Sequence, residues 1–194
     1  MTQYIDLRDP PPKRRSRCDG SQEKHLTEAA VMIAFGMYLL ERGALTVELH
    51  PDGEHGKRHD LKKSLESHGL KLVRPQGTTL YGGAYQRDHQ TVNVTLKPGV
   101  GDVVAEIGGK TLVAECKGGV VNTRHAGQLS KLRRGLCEAV GLLMARPLNG
   151  ERHVAVVPAT PETEKVARRM LPRAMAAGIE IALVNENGCV SFVK

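Results

Sequence analysis

GDVVAEIGGKTLVAECKGG, residues 101–119, reads as two short apolar strands joined at Gly108-Gly109-Lys110, yet it carries Asp102, Glu115 and Lys117. Successive side chains of a strand alternate between faces, so Glu115 and Lys117 share one side while Cys116 takes the other. A hairpin closing about Gly109 brings Asp102, at the start of the first strand, to the end of the second. Two carboxylates and an ammonium are therefore expected to meet there. Glu106, four residues beyond Asp102, falls away from that point and reads as solvated.

Convergent carboxylates repel one another, a cost normally met by a hard divalent cation with oxygen ligands, Mg²⁺ or Mn²⁺. A lysine beside a metal-polarised water suits in-line hydrolysis of a phosphodiester, orienting the nucleophile or offsetting developing negative charge.

The flanking sequence predicts an α/β (α+β) domain over residues 21–194, preceded by a flexible basic arm, 1–20, whose RDPPPKRRSRCDG run resists both helix and strand. A first helix is expected over 21–42, with Ser21 as its N-cap and Gly43 as its stop. A strand at 44–49, a mostly polar helix at 57–69 and a strand at 70–74 follow. Residues 75–100 hold four glycines and two prolines and read as mobile or irregular, apart from the alternating TVNVTL. After the hairpin, 123–145 reads as a helix with a stripe of Leu129, Leu132, Leu136, Val140 and Leu143. Strand 152–158, a helix from Pro161 and strands at 179–185 and 189–193 complete the chain. Alternating strands and helices predict a sheet with parallel components and helices on both faces.

Twenty-eight Lys and Arg against 21 Asp and Glu give a net charge of +7, which favours a polyanionic partner and salt-sensitive binding. Two Phe, four Tyr and no Trp leave few platforms for stacking single-stranded bases. Cys18, Cys116, Cys137 and Cys189 form no C-x-x-C pair, so they read as free thiols of a cytoplasmic protein. The longest apolar run, Ala29 to Leu40, is too short to span a bilayer, and the acidic and basic N-terminus does not read as a signal peptide. His50, His55 and His59 lie among Pro, Gly and charged residues and read as a solvated loop.

Gly101-Asp102, twelve intervening residues and Glu115-Cys116-Lys117 resemble the signature of the PD-(D/E)XK nuclease superfamily, an acid at a strand start followed by acid-x-Lys on the next strand. Where the family often has proline before the first acid, this chain has Gly101. The resemblance implies a restriction-endonuclease-like core of order αβββαβ, a central mixed sheet flanked by helices. It implies Mg²⁺, replaceable by Mn²⁺, held by Asp102, Glu115 and the Cys116 carbonyl, with Lys117 orienting the attacking water. DNA is the implied substrate, RNA less often, and symmetric cutting of both strands would take a homodimer.

Glu28 matches the helix acid that many members place near the metal, against the alternative of a solvated helix-face glutamate. Gln128 matches a glutamine that several branches place beside the lysine. Arg124, Gln128 and Lys131 are expected to share a face opposite the leucine stripe and, with Arg134, to meet a phosphate backbone. His125 reads either as a phosphate contact or as a helix-start residue. Two rival readings stand beside the nuclease: a nucleic-acid-binding module that kept the fold and lost catalysis, and a basic regulatory or assembly protein whose hairpin charges are structural.

Overall fold

The computed structural model describes residues 5–8, 22–52 and 59–194. At its centre is the expected hairpin: β7 (Val103–Ile107) and β8 (Lys110–Cys116) pair antiparallel from Ile107 with Lys110 to Val103 with Ala114. The two-residue loop works because Gly108 and Gly109 both adopt positive φ, 59° and 72°, the combination a tight hairpin turn requires.

Around it runs a nine-stranded mixed sheet of order β12-β11-β10-β8-β7-β3-β6-β5-β4. Its members are β3 (Thr46–Leu49), β4 (Lys71–Pro75), β5 (Gly83–Arg87), β6 (Gln90–Val94), β10 (Arg152–Pro158), β11 (Ile179–Val184) and β12 (Val190–Phe192). Strand β10 is parallel to both β8 and β11, and β3 is antiparallel to β7. A second, three-stranded sheet joins β1 (Ile5–Arg8), β2 (Glu23–Leu26) and β9 (Gly119–Val120).

Helix α1 (Glu28–Glu41) lies on one face, with α2 (Leu61–Ser67) against it; α3 (Ala126–Met144) and α4 (Pro161–Ala176) lie on the other. The core therefore divides in two. Leu112, Ala114, Cys116, Val154 and Val156 pack with α1, whereas Ala155 and Val157 pack with Leu136, Val140 and Leu143 of α3 and Ala167 of α4. Because Glu115 pairs with Ala155, the alternation of β8 turns Glu115 toward the α3 side and Cys116 toward α1.

Three elements depart from the sequence expectation. Residues 23–26, expected to open the first helix, instead pair as β2 between β1 and β9, and the helix begins after Thr27, whose Oγ1 accepts from the Ala30 amide at 3.2 Å. Ser21, the expected cap, lies outside the described residues, as do His55 and residues 1–4 and 9–20 of the expected flexible basic arm, whose residues 5–8 instead form β1. Residues 83–87, expected to be irregular, form β5 and pair with β6, which carries the expected TVNV alternation, in the β5–β6 hairpin. The glycines there serve close packing: a Cβ on Gly83 would stand 2.3 Å from the Arg74 carbonyl oxygen. His50 leaves the expected solvated loop: its side chain is 11% exposed, and its Nδ1 lies 3.0 Å from the Lys97 carbonyl oxygen.

Helix α1 is apolar nearly all round, and only Glu28, Tyr38 and Glu41 of its fourteen residues escape burial. Among the described residues no helix is long and apolar enough to cross a membrane.

Candidate active site

The regular ladder of the central hairpin ends at Val103, and Asp102 sits one residue beyond it. Its backbone is held from both sides: its N–H donates to Ala114 O at 2.9 Å, and its carbonyl accepts from the His50 amide of the neighbouring strand end at 2.9 Å. The side chain turns back onto β8, where Oδ2 accepts the Cys116 amide at 2.7 Å. Three main-chain bonds from two neighbouring segments, β8 and the end of β3, thus hold the residue, and one of them fixes a carboxylate oxygen.

Burial pushes the Asp102 carboxyl up to about 6. The Cys116 amide and Lys117 pull it down, while Glu115 and Glu28 push it further up. The site is therefore crowded with negative charge around a poorly solvated acid, the condition a cation relieves.

Glu115 is 5% exposed and forms an ion pair with Arg146, just past the end of α3. Lys117 follows the last residue of β8, its amide donating to Val156 O at 2.9 Å. Its stem lies against Gly135 of α3, where a Cβ would come within 3.2 Å of Lys117 Cβ. Its Nζ lies 3.2 Å from Glu28 Oε1 and 3.3 Å from Glu138 Oε1. Burial works against the ammonium, but Glu28, Asp102 and Glu138 more than offset it and raise its pKa above that of an ordinary lysine. Lys117 is accordingly a fixed positive charge at neutral pH, suited to orienting and charge neutralisation rather than to taking a proton. Burial pushes the Cys116 thiol well above the usual thiol range, so its side chain stays protonated and unreactive.

Glu28 reaches this cluster because Gly118 lets the end of β8 meet the start of α1: a Cβ there would lie 2.5 Å from Glu28 N and 2.6 Å from Leu26 O. The structure thus brings Asp102, Glu115, Lys117 and Glu28 together. The donor set, a group of carboxylates, has the hard-oxygen chemistry of Mg²⁺ or Mn²⁺ and not the thiolate or imidazole of a zinc site. Among the described residues no group of three or more His, Cys, Asp or Glu is gathered closely enough to hold an ion; Glu115 pairs with Arg146 and Glu28 with Lys117.

Helix α3 modifies the expected basic face. Lys131, Arg134, Gly135 and Glu138 recur at helical spacing on the side that meets Lys117, and Lys131 and Arg134 are exposed there. Arg124 precedes the helix and is exposed. His125 is the N-cap, its Nδ1 accepting from the Gly127 amide at 3.0 Å. Gln128 does not share the solvated face: it is 8% exposed and heads the buried stripe that continues through Leu132 and Leu136. At 100° per residue it lies between stripe and basic face, and packing takes it inward.

Two participants escaped sequence reading. Glu138 could have been found from its spacing, seven residues along the face that starts at Lys131. Arg146 had no such signal, because it stands in the turn after α3 and its contact with Glu115 depends on the length and tilt of the whole helix. Cys116, Cys137 and Cys189 carry free thiols. No protein-family model, curated protein or solved structure matches this chain.

Proposed function

We propose that the protein is a metal-dependent nuclease that hydrolyses phosphodiester bonds in DNA, built on a restriction-endonuclease-like core. The observation that carries this reading is the meeting of Asp102, Glu115 and Lys117 at the end of the central hairpin, with Glu28 reaching them from α1. The order α1, β3, β7, β8, α3, β10, with those four strands adjacent as β3-β7-β8-β10, supports the αβββαβ core.

In this reading Asp102, Glu115 and the Cys116 carbonyl hold Mg²⁺ or Mn²⁺, with Glu28 as a further acidic neighbour. The bound cation would supply a Lewis acid for the phosphate and a water of lowered pKa. Asp102 is held ready by three main-chain bonds from β8 and the end of β3, so its carboxylate needs no reorganisation when the substrate arrives. Lys117, charged and anchored between Glu28 and Glu138, orients the attacking water and offsets charge developing on the phosphate. Lys131 and Arg134 extend that positive surface along α3 toward the nucleic-acid backbone.

The test incubates the protein with supercoiled plasmid, linear duplex, single-stranded DNA and structured RNA in Mg²⁺, Mn²⁺ or EDTA, beside Glu115→Ala. Cleavage that needs the cation and is absent from the variant supports the nuclease and identifies its substrate class. Salt-sensitive binding without cleavage by either protein would favour a binding module of the same fold.

A further inference from the structure

The Glu115 carboxylate is nearly sealed from water, and its partner comes from outside the hairpin: the Arg146 guanidinium, thirty-one residues away, which pairs with Oε1. Arginine presents five N–H donors in a planar fork suited to an oxyanion, and here part of that fork is unused. Arg146 Nε is buried and has no hydrogen-bond partner among the described residues, while the side chain as a whole remains a quarter exposed. Burying an N–H of a charged group without an acceptor is costly, so the position suits an anion that the described residues do not supply.

A guanidinium and a divalent cation on the same carboxylate are both positive and draw on the same negative charge, so each holds it less tightly when the other is present. Once Glu115 serves a cation, Arg146 keeps a weakened hold on that partner in a part-buried place. The group that best replaces a carboxylate for a guanidinium is a phosphodiester, which offers two oxygens at similar spacing. Resting on the nuclease reading of the site, we infer that Arg146 is a phosphate-binding residue that exchanges partners, holding Glu115 in the cation-free protein and engaging a nonbridging oxygen of the substrate phosphate when Glu115 takes the cation.

This hand-over differs from a purely structural ion pair in sign. If Arg146 competes with the cation, removing it tightens cation binding; if it only props Glu115 in place, removing it weakens cation binding or leaves it unchanged. Calorimetric titration of Mn²⁺ into the full chain, without nucleic acid, separates the two for wild type, Arg146→Gln and Arg146→Lys. Arg146→Gln is expected to bind Mn²⁺ about tenfold more tightly, within the usual range of coupling between two opposed binding events. Its cleavage is expected to fall about a hundredfold, as when one donor to a reacting oxyanion is removed. Arg146→Lys, which keeps the charge without the fork, is expected to fall between wild type and Arg146→Gln in Mn²⁺ affinity, and decides the matter if the glutamine variant does not fold.

Unchanged or weaker Mn²⁺ binding in both variants would overturn the inference while leaving the nuclease intact. Tighter Mn²⁺ binding with undiminished cleavage would also overturn it, by removing the phosphate from the exchange. A wild type that neither binds Mn²⁺ nor cleaves would sink the nuclease reading itself and this inference with it.

Discussion

The Cys116 amide donates to Asp102 Oδ2 at 2.7 Å, so the backbone of β8 holds the carboxylate that precedes β7. That bond alone would favour the charged acid, yet burial together with Glu115 and Glu28 carries the Asp102 pKa up to about 6. A carboxyl whose folded pKa exceeds its unfolded one stabilises the fold when protonated. Its contribution is complete below the unfolded pKa, near 3.8, and is lost as pH rises through about 6.

Asp102→Asn keeps an oxygen for the Cys116 amide and removes the buried charge. Without divalent cation the variant is expected to be more stable than wild type at pH 7.5, by up to about 3 kcal/mol for a shift of about two units. At pH 4 the gain should largely vanish, because wild-type Asp102 is then already neutral when folded. Thermal melts at the two pH values in EDTA check this; equal differences at both would mean that the charge is not the cause. Cleavage should be abolished at either pH.

Lys117 bridges Glu28, which is mostly sheltered, and Glu138, whose side chain is 59% exposed. The two bonds are alike in length and should differ in worth, since solvent screens the exposed pair. Lys117→Met is expected to cost about 1–2 kcal/mol by leaving Glu28 part-buried beside Asp102 without its counter-charge. In urea melts, a double-mutant cycle of Lys117→Met with Glu28→Gln should show a coupling of about 1 kcal/mol, and the cycle with Glu138→Gln less than about 0.5 kcal/mol. Equal couplings would contradict the assignment of Glu28 as the principal anchor.

Gly118 is required by close approach, not by conformation. A Cβ there meets the backbone of Leu26, Thr27 and Glu28 at 2.5–2.7 Å, and backbone cannot swing aside as a side chain can. Gly118→Ala is expected to destabilise by about 1–3 kcal/mol, the range for overpacking a tight site. It should also push the start of α1 away from β8 and lower cleavage more than Gly108→Ala, where no atom lies within 4 Å of the added Cβ. Gly108 has positive φ, so its variant controls for destabilisation distant from the site. Equal activity of the two at matched stability would sink the argument that Gly118 positions Glu28.

The legible part of this protein is what depends on short-range alternation. Once the chain turns at Gly108-Gly109, the period of two places Asp102 near Glu115 and puts Lys117 on the same side, so three site residues follow from local rules. The start of α1 does not, because Ser21 and Thr27 are both competent caps. The choice is made by the pairing of His25 with Val120 and Leu26 with Gly119, partners nearly a hundred residues apart. The glycines of 75–100 were ambiguous for a similar reason: the same residue serves a loop or a close backbone approach, and only the partner strand decides. Gln128 lies at the boundary of two faces where a rotation of a few tens of degrees, set by tertiary packing, takes it inward. Arg146 lies beyond any periodic pattern.

Lys131 and Arg134 stand exposed on the side of α3 that meets Lys117, and neither pairs with the acids of the site. Binding of such residues to a phosphate backbone is independent of sequence, and each releases condensed counterions when the complex forms. Replacing both with glutamine should therefore weaken binding by a similar factor on unrelated duplexes. The slope of log affinity against log salt should become shallower by about two, close to one for each cationic side chain removed. Fluorescence anisotropy in Ca²⁺ or EDTA, over a series of salt concentrations, measures this without cleavage. Thermal stability should be unchanged, because surface substitutions of this kind usually fall within about 0.5 kcal/mol. An unaltered salt slope in the double variant would mean that nucleic acid approaches the site from another face, and that the charge of α3 serves solubility instead.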